Sequence, residues 1–266
     1  MGFKKIVRSH IINKLPRKCQ LYIESLYLYY FVKNYVETEV RILKQFCDSQ
    51  KTSVDIGANQ GVFTLFLSKY SSHVYCFEPL PWLAEYLKNK YKGCNVSIMN
   101  CALGEFNCEM HLNIPSIENK RYETRSSLIS QFDNAYIDGK RVTNVDKILV
   151  EVKKLDDFHI NNLGLIKIDV EGFEYEVLKG AEETILQNRP TIFIEIEQRH
   201  HKTDDIQDIF NYLHKIGYLG YFWQKKSLTE IKEFDASLMQ MQDNEKNDQY
   251  INNFVFSPAP ISHLKI

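Results

Sequence analysis

Two groups of residues in this chain have types and spacing that suit chemistry. The first is Ser53-Val54-Asp55-Ile56-Gly57-Ala58-Asn59-Gln60-Gly61-Val62-Phe63-Thr64, a β-branched run that enters a tight Gly/Asn turn and leaves as a helix-competent segment. Gly57 and Gly61 permit φ > 0 and close backbone approach on either side of Ala58, and Asn59 tolerates the left-handed region. Asp55 sets a carboxylate where a ligand's cationic or hydroxyl group could lie. The loop has no Gly-Lys-Ser/Thr ending for a phosphate and magnesium, because Val62-Phe63 follow Gly61. It also lacks the second glycine of a dinucleotide fingerprint, since Asn59 stands there. With no Lys or Arg in it, the loop suits a nucleotide-like ligand without phosphates.

The second group is acidic. Glu78 ends the run 73–77, where a nucleotide-binding α/β fold uses a carboxylate to accept hydrogen bonds from ribose hydroxyls. Asn100-Cys101-Ala102-Leu103-Gly104-Glu105 is a turn of small residues suited to backbone contact with an adenine edge. Asp169 and Glu171 follow one very apolar run, Glu195 and Glu197 follow another, and His200 and His201 come within a turn of the latter.

Elements must place these residues side by side. Strands are predicted at 53–56, 73–77, 96–99, 165–169 and 191–195, with helices at 64–70, 82–91 and 175–186. Such alternation gives an open, mainly parallel sheet with right-handed crossovers, with ligands beyond the carboxyl ends of the strands. About 60 residues separate the third and fourth strands, too many for a plain connection. Within them 109–112 and 149–152 read as added antiparallel strands and 116–141 as a loop over the site. Residues 217–218 and 253–256 resemble the last strands, and 240–249 read as a mobile polar segment. Trp82 and Tyr86, at helical spacing, read as core, and Glu174 reads as a surface charge at a helix N-terminus.

Residues 1–48 form a predicted helical extension, with Val36, Val40, Leu43 and Phe46 on one face. Its start carries Lys4, Lys5, Arg8, Lys14, Arg17 and Lys18 with no acid among the first twenty residues, a solvated terminus or a contact for a membrane surface. The Tyr-rich stretch 21–32 reads as a buried or partner-facing helix and could serve a homo-oligomer. The chain has 266 residues and a net charge of −1, which gives no global field for nucleic acid. Neither an eighteen-residue apolar run nor a signal peptide is seen. Six cysteines without zinc or redox spacing point to a reduced, cytoplasmic protein.

The blocks Val54-Asp55-Ile56-Gly57-Ala58-Asn59-Gln60-Gly61, Phe77-Glu78-Pro79, Asn100-Cys101-Ala102-Leu103-Gly104 and Ile166-Lys167-Ile168-Asp169-Val170-Glu171-Gly172-Phe173-Glu174 together resemble the FkbM family of S-adenosylmethionine-dependent methyltransferases. Val177-Leu178-Lys179-Gly180-Ala181 and Phe193-Ile194-Glu195 extend the likeness, which runs over about 36–200. It implies a Rossmann-like, class I methyltransferase sheet of seven mainly parallel strands over 49–266, and O-methyl transfer to a sugar hydroxyl of a nucleotide sugar or glycan. By position, Asp55, Gly57 and Asn59 would hold the methionyl end of S-adenosylmethionine, Glu78 its ribose and Ala102 its adenine. Ala58, Gly61, Cys101 and Asp169 complete the expected cofactor site, and Ser127 lies in a segment near it.

A sugar hydroxyl is a weak nucleophile at neutral pH, so its transfer calls for a general base or a metal. Asp169, Glu195, His200 and His201 are the candidate catalytic residues. Asp169, Glu195, Glu197 and His200 could instead hold Mg²⁺, Mn²⁺ or Fe²⁺. Arg121, Arg125, Lys140 and Arg141 could meet a diphosphate, with Tyr122 and Tyr136 stacking on a sugar or base. An NAD-linked oxidoreductase shares the fold and Glu78 but fails at Asn59. A non-catalytic cofactor-binding module is the third reading.

Overall fold

The computed structural model describes residues 43–130, 139–201, 206–224, 227–241 and 250–261, with scattered positions at 16–23 and 132–137. The expected helical extension lies almost wholly outside the described residues, as do its basic start, the Tyr-rich stretch and most of 240–249.

The chain first lays down β1 (Thr52–Ile56), α1 (Val62–Tyr70), β2 (His73–Phe77), α2 (Pro81–Lys90) and β3 (Val96–Met99). Pro81 opens α2, where its fixed φ suits the first helical turn and its missing N–H costs nothing. A second, four-stranded sheet follows, built from β4 (Ala102–Leu103), β5 (Cys108–Ile117), β6 (Lys120–Arg121) and later β9 (Asn144–Lys153) in the order β4-β9-β5-β6. A small hairpin, β7 (Tyr136–Ile137) and β8 (Lys140–Arg141), sits within this insertion. The two added strands expected from the sequence pair as foreseen, with Glu109 opposite Glu151 and Leu112 opposite Ile148, but each strand runs to ten residues.

The main sheet then resumes with β10 (Leu163–Ile168), α3 (Glu174–Lys179), α4 (Glu182–Asn188), β11 (Thr191–Glu195), α5 (Ile206–Lys215), β12 (Leu219–Gln224), β13 (Ser227–Glu230), α6 (Ala236–Met239) and β14 (Asn253–Ser257). Its order is β13-β12-β14-β11-β10-β1-β2-β3. The five strands from β11 to β3 are parallel, whereas β14, β12 and β13 pair antiparallel. The seven mainly parallel strands expected thus become an eight-stranded mixed sheet, because the polar Ser227–Glu230 folds back on β12 as an edge strand.

Both faces of this sheet are covered, so its central strands are largely apolar. Val54, Ile166, Ile168, Ile192 and Ile194 pack with Val177, Leu178, Ile185, Phe210 and Leu213. Leu165 and Phe193 pack on the other side with Phe66, Leu67 and Val74. Each such side chain contributes roughly 1.5–3 kcal/mol on burial, which makes the charged Asp55 and Lys167 in adjacent strands conspicuous. One helix was expected over 175–186, and two are found. A Cβ on Gly180 would sit 1.9 Å from the Gly104 carbonyl oxygen, so helix and insertion touch backbone to backbone there. Asp156 then caps α4, accepting from the Glu183 and Thr184 N–H groups at 3.2 and 2.8 Å.

Candidate active site

A cleft of about 460 Å³ opens beyond the carboxyl ends of β1, β2, β10 and β11. Its floor is mostly backbone. Gly57, Asn59 and Gly61 all adopt the left-handed conformation, with φ of 73°, 49° and 75°. A Cβ on Gly57 would lie 1.8 Å from the Asp169 carbonyl oxygen, so only glycine lets the first loop run this close to the end of β10. Gly57 and Ala58 donate their N–H groups to the Phe77 carbonyl, which ties that loop to β2.

Glu78 is buried at the edge of this floor and accepts from the Asn59 N–H at 2.7 Å and the Leu80 N–H at 2.9 Å. Burial pushes its carboxyl up to about 7, against the pull of those two backbone bonds. Beneath the floor, Lys167 Nζ lies 3.2 Å from Asp169 Oδ2, 3.3 Å from the Gly57 carbonyl oxygen and 3.5 Å from Asp55 Oδ1. Burial favours the neutral amine, but the Asp169 and Asp55 carboxylates outweigh it and hold Lys167 above the ordinary lysine value. The Thr64 hydroxyl donates to the other Asp55 oxygen.

The wall opposite is made of side chains. The turn Glu123–Arg125, Ser126 and Leu128 come from the insertion and face Asp169, Glu171 and Glu195 across the cleft. Glu171 has φ 55°, and its carbonyl accepts the Ser127 hydroxyl at 2.6 Å. Its carboxylate lies 3.6 Å from Arg125 Nη1 and 3.4 Å from His200 Nε2. Burial raises Glu171 to about 8, with Arg125 opposing the rise. Glu197 sits behind, holding Arg199 at 2.6 Å and the Tyr250 hydroxyl at 2.6 Å, with Arg125 at 3.7 Å. Glu195 accepts from the Asn252 amide at 2.7 Å.

Of the residues expected at a cofactor site, Gly57, Ala58, Asn59, Glu78, Cys101, Ala102 and Asp169 line the cleft. Asp55 does not: it is fully buried and acts on the site through Lys167. Gly61 is also set back, capping α1 against Leu87 and Tyr91. Ser127 is buried behind the wall, braced by the Glu171 carbonyl and the Ile129 N–H. Glu195 lines the cleft, while His200 and His201 do not. Burial, with Arg199 and Arg125 nearby, lowers His200 to about 3, and Arg199 Nε donates to its Nε2 at 3.2 Å. His201 is paired with Glu174 at 3.1 Å, and Glu174 is buried rather than a surface charge because it also accepts the Gly172 N–H.

The donor set proposed for a metal does not assemble. Glu197 is occupied by Arg199, Tyr250 and Arg125, and His200 faces Arg199 and Glu171. Among the described residues, no three of His, Cys, Asp or Glu gather as a metal-ligand group. Of the four basic residues expected near a diphosphate, only Arg125 lines the cleft. Arg121 pairs with Asp146 at 2.6 Å and Lys140 with Glu118 at 3.7 Å. Tyr136 is 67% exposed, away from the cleft lining. Trp82 and Tyr86 are 37% and 48% exposed, not core, and the Trp82 indole N–H holds Glu123 at 2.8 Å. The role of Lys167 was missed, although a lysine inside a buried parallel strand is itself a signal.

The Methyltransferase FkbM domain matches residues 55–219. "Methyltransferase 1" of Beauveria bassiana (strain ARSEF 2860) is 29% identical over 144 residues, covering 49% of this chain and 58% of that protein. "Methyltransferase sdnD" of Sordaria araneosa is 28% identical over 159 residues, covering 49% and 60%. The chain therefore spans less than two thirds of the length of these curated relatives. The crystal structure of methyltransferase FkbM from Methylobacillus flagellatus KT matches over 91% of this chain and 48% of that one, at 18% identity and a TM-score of 0.49. No helix among the described residues is long and apolar enough to cross a membrane.

Proposed function

Because the chain belongs to the FkbM methyltransferase family, we propose that it is an S-adenosylmethionine-dependent O-methyltransferase acting in the cytoplasm on a sugar hydroxyl of a nucleotide sugar or glycan. The observation that carries this reading is a single cleft with two unlike sides, a backbone floor and a side-chain wall supplied by the insertion. The floor fits the cofactor. Backbone at Gly57, Ala58 and Asn59 comes close enough for a methionyl chain, Glu78 offers carboxylate oxygens to ribose hydroxyls, and Cys101 and Ala102 leave room for an adenine. When bound, the cofactor supplies a methyl group activated by positive sulfur.

The remaining work belongs to the chain. The side-chain wall faces the floor across the cleft, where an acceptor oxygen held in line with the methyl would lose much of the barrier through alignment alone. Asp169, held by Lys167, and Glu195, held by Asn252, line the cleft, and one of these carboxylates would take the acceptor hydroxyl's proton as the methyl passes from sulfur to oxygen. Incubation with S-adenosylmethionine and a panel of sugars, nucleotide sugars and glycans, read by mass spectrometry, should show the gain of one methylene. Asp169→Ala should keep cofactor binding and lose turnover. Full activity in that variant would remove Asp169 from the mechanism.

A further inference from the structure

The charges that line the cleft bear on the acceptor. Five carboxylates face it, those of Glu78, Glu123, Asp169, Glu171 and Glu195, against the two cations Lys167 and Arg125. Both cations are already engaged. The Lys167 ammonium donates to Asp169 at 3.2 Å and to the Gly57 carbonyl at 3.3 Å, and pairs with the Asp55 carboxylate at 3.5 Å. Arg125 stands between Glu171 and Glu197, at 3.6 and 3.7 Å. Three basic residues of the insertion are turned to other partners: Arg121 to Asp146, Lys140 to Glu118, and Lys120 over the Tyr122 ring. Even with Glu78 and Glu171 both protonated, three carboxylates would face two cations.

A phosphate or carboxylate entering this cleft would meet like charge at close range, which disfavours it. An amine would meet oriented acceptors at Glu171 and Glu195. We infer that the acceptor carries no phosphate or carboxylate near its reacting hydroxyl, and that an amine-bearing sugar is its preferred form. This rests on the proposed sugar O-methyl transfer and narrows it, setting nucleotide sugars aside in favour of amino sugars within a glycan or glycoside.

The test is a binding comparison on the full chain saturated with S-adenosylhomocysteine, by calorimetry or ligand-observed NMR. The probes are methyl glucosaminide, methyl glucoside, glucuronate and UDP-glucose. The amine should bind tightest and the two anions at least ~10-fold more weakly, a gap of about 1.4 kcal/mol, and the gap should shrink as salt is raised. Glu171→Gln combined with Glu195→Gln should narrow the amine-to-glucuronate ratio, and unchanged binding of S-adenosylhomocysteine would show that the cleft is still folded. A ratio that stays unchanged in this folded double variant would overturn the inference, as would UDP-glucose or glucuronate binding as tightly as the amine in the native chain. If none of the four sugars binds, the sugar reading falls and this inference with it.

Discussion

The floor and the wall of the cleft are built by opposite means. On the floor, one short loop fixes its own shape through three left-handed residues, tied to the Phe77 carbonyl and braced by Glu78 and Lys167. On the wall, Arg125, Glu171, Glu197 and Arg199 come from three separate parts of the chain and are held as ion pairs. Backbone geometry makes a site whose shape is indifferent to salt and tolerant of little substitution. A charge network makes one that is tunable by single side chains. The difference matches the two ligands proposed, a cofactor on the floor and an acceptor against the wall.

That contrast can be broken in three places. The largest effect is expected at Gly57→Ala, which forces a Cβ into the Asp169 carbonyl and an L residue into φ 73°. Unfolding by denaturant should show a loss of about 3 kcal/mol or more, and cofactor binding should vanish. Gly139→Ala is the control: it has a similar φ of 74° but nothing within 4 Å of the new Cβ, so it should cost only about 1–2 kcal/mol. Equal losses at the two sites would mean that close packing of the floor is irrelevant.

Next comes Glu78→Gln, which replaces one of two acceptor oxygens by an NH₂ donor facing a backbone N–H and leaves a single oxygen for ribose. S-adenosylhomocysteine affinity should fall by about 2 kcal/mol, roughly thirty-fold. Its pH dependence sharpens the test. The carboxyl of the folded protein sits near 7, above its ordinary value of 4.5. Its contribution to stability is therefore full below about 4.5 and lost as pH rises through 7. Ribose hydroxyls donate best to the ionised form, so cofactor affinity should rise over the same interval, and Glu78→Gln should flatten that rise. The smallest effect is expected on the wall. Ser127→Ala removes the bond to the Glu171 carbonyl and should cost about 1 kcal/mol of stability while leaving S-adenosylhomocysteine affinity unchanged. A matching loss of cofactor affinity would join wall and floor into one unit.

The same division explains what could be read from the sequence. The floor was legible because its signals are local: a β-branched run, then Gly57, Asn59 and Gly61 within five positions, all of which take positive φ. Strands β2, β3 and β11 were placed to the residue for a similar reason, being short apolar runs bounded by turns. The wall was not legible because its partners are distant in the chain. Glu174 is bonded to His201 across 27 positions, and Arg125 meets Glu171 across the insertion. Asp55 was read as a ligand group because its type and place allowed it, while its partner Lys167 lies 112 positions on. Helix α5 could have been read, since Ile206, Ile209, Phe210 and Leu213 mark one buried face. Strand β13 could not, because Ser227–Glu230 is short and polar and becomes a strand only by lying beside β12.

The pairing of β4 with β9, Ala102 beside Val152 and Leu103 beside Lys153, has an architectural consequence. The excursion that carries the wall leaves the main fold and returns to it at one point, like a branch grafted on a single node. Closing a loop whose ends already touch costs little more as the loop grows, about 0.6 kcal/mol for each doubling in length. Strand order is therefore independent of the branch's length, while the branch still packs on Leu80 and Leu83 and meets Glu171 through Ser127 and Arg125. A chain built this way can lengthen or shorten its acceptor-facing part as long as those few contacts are kept.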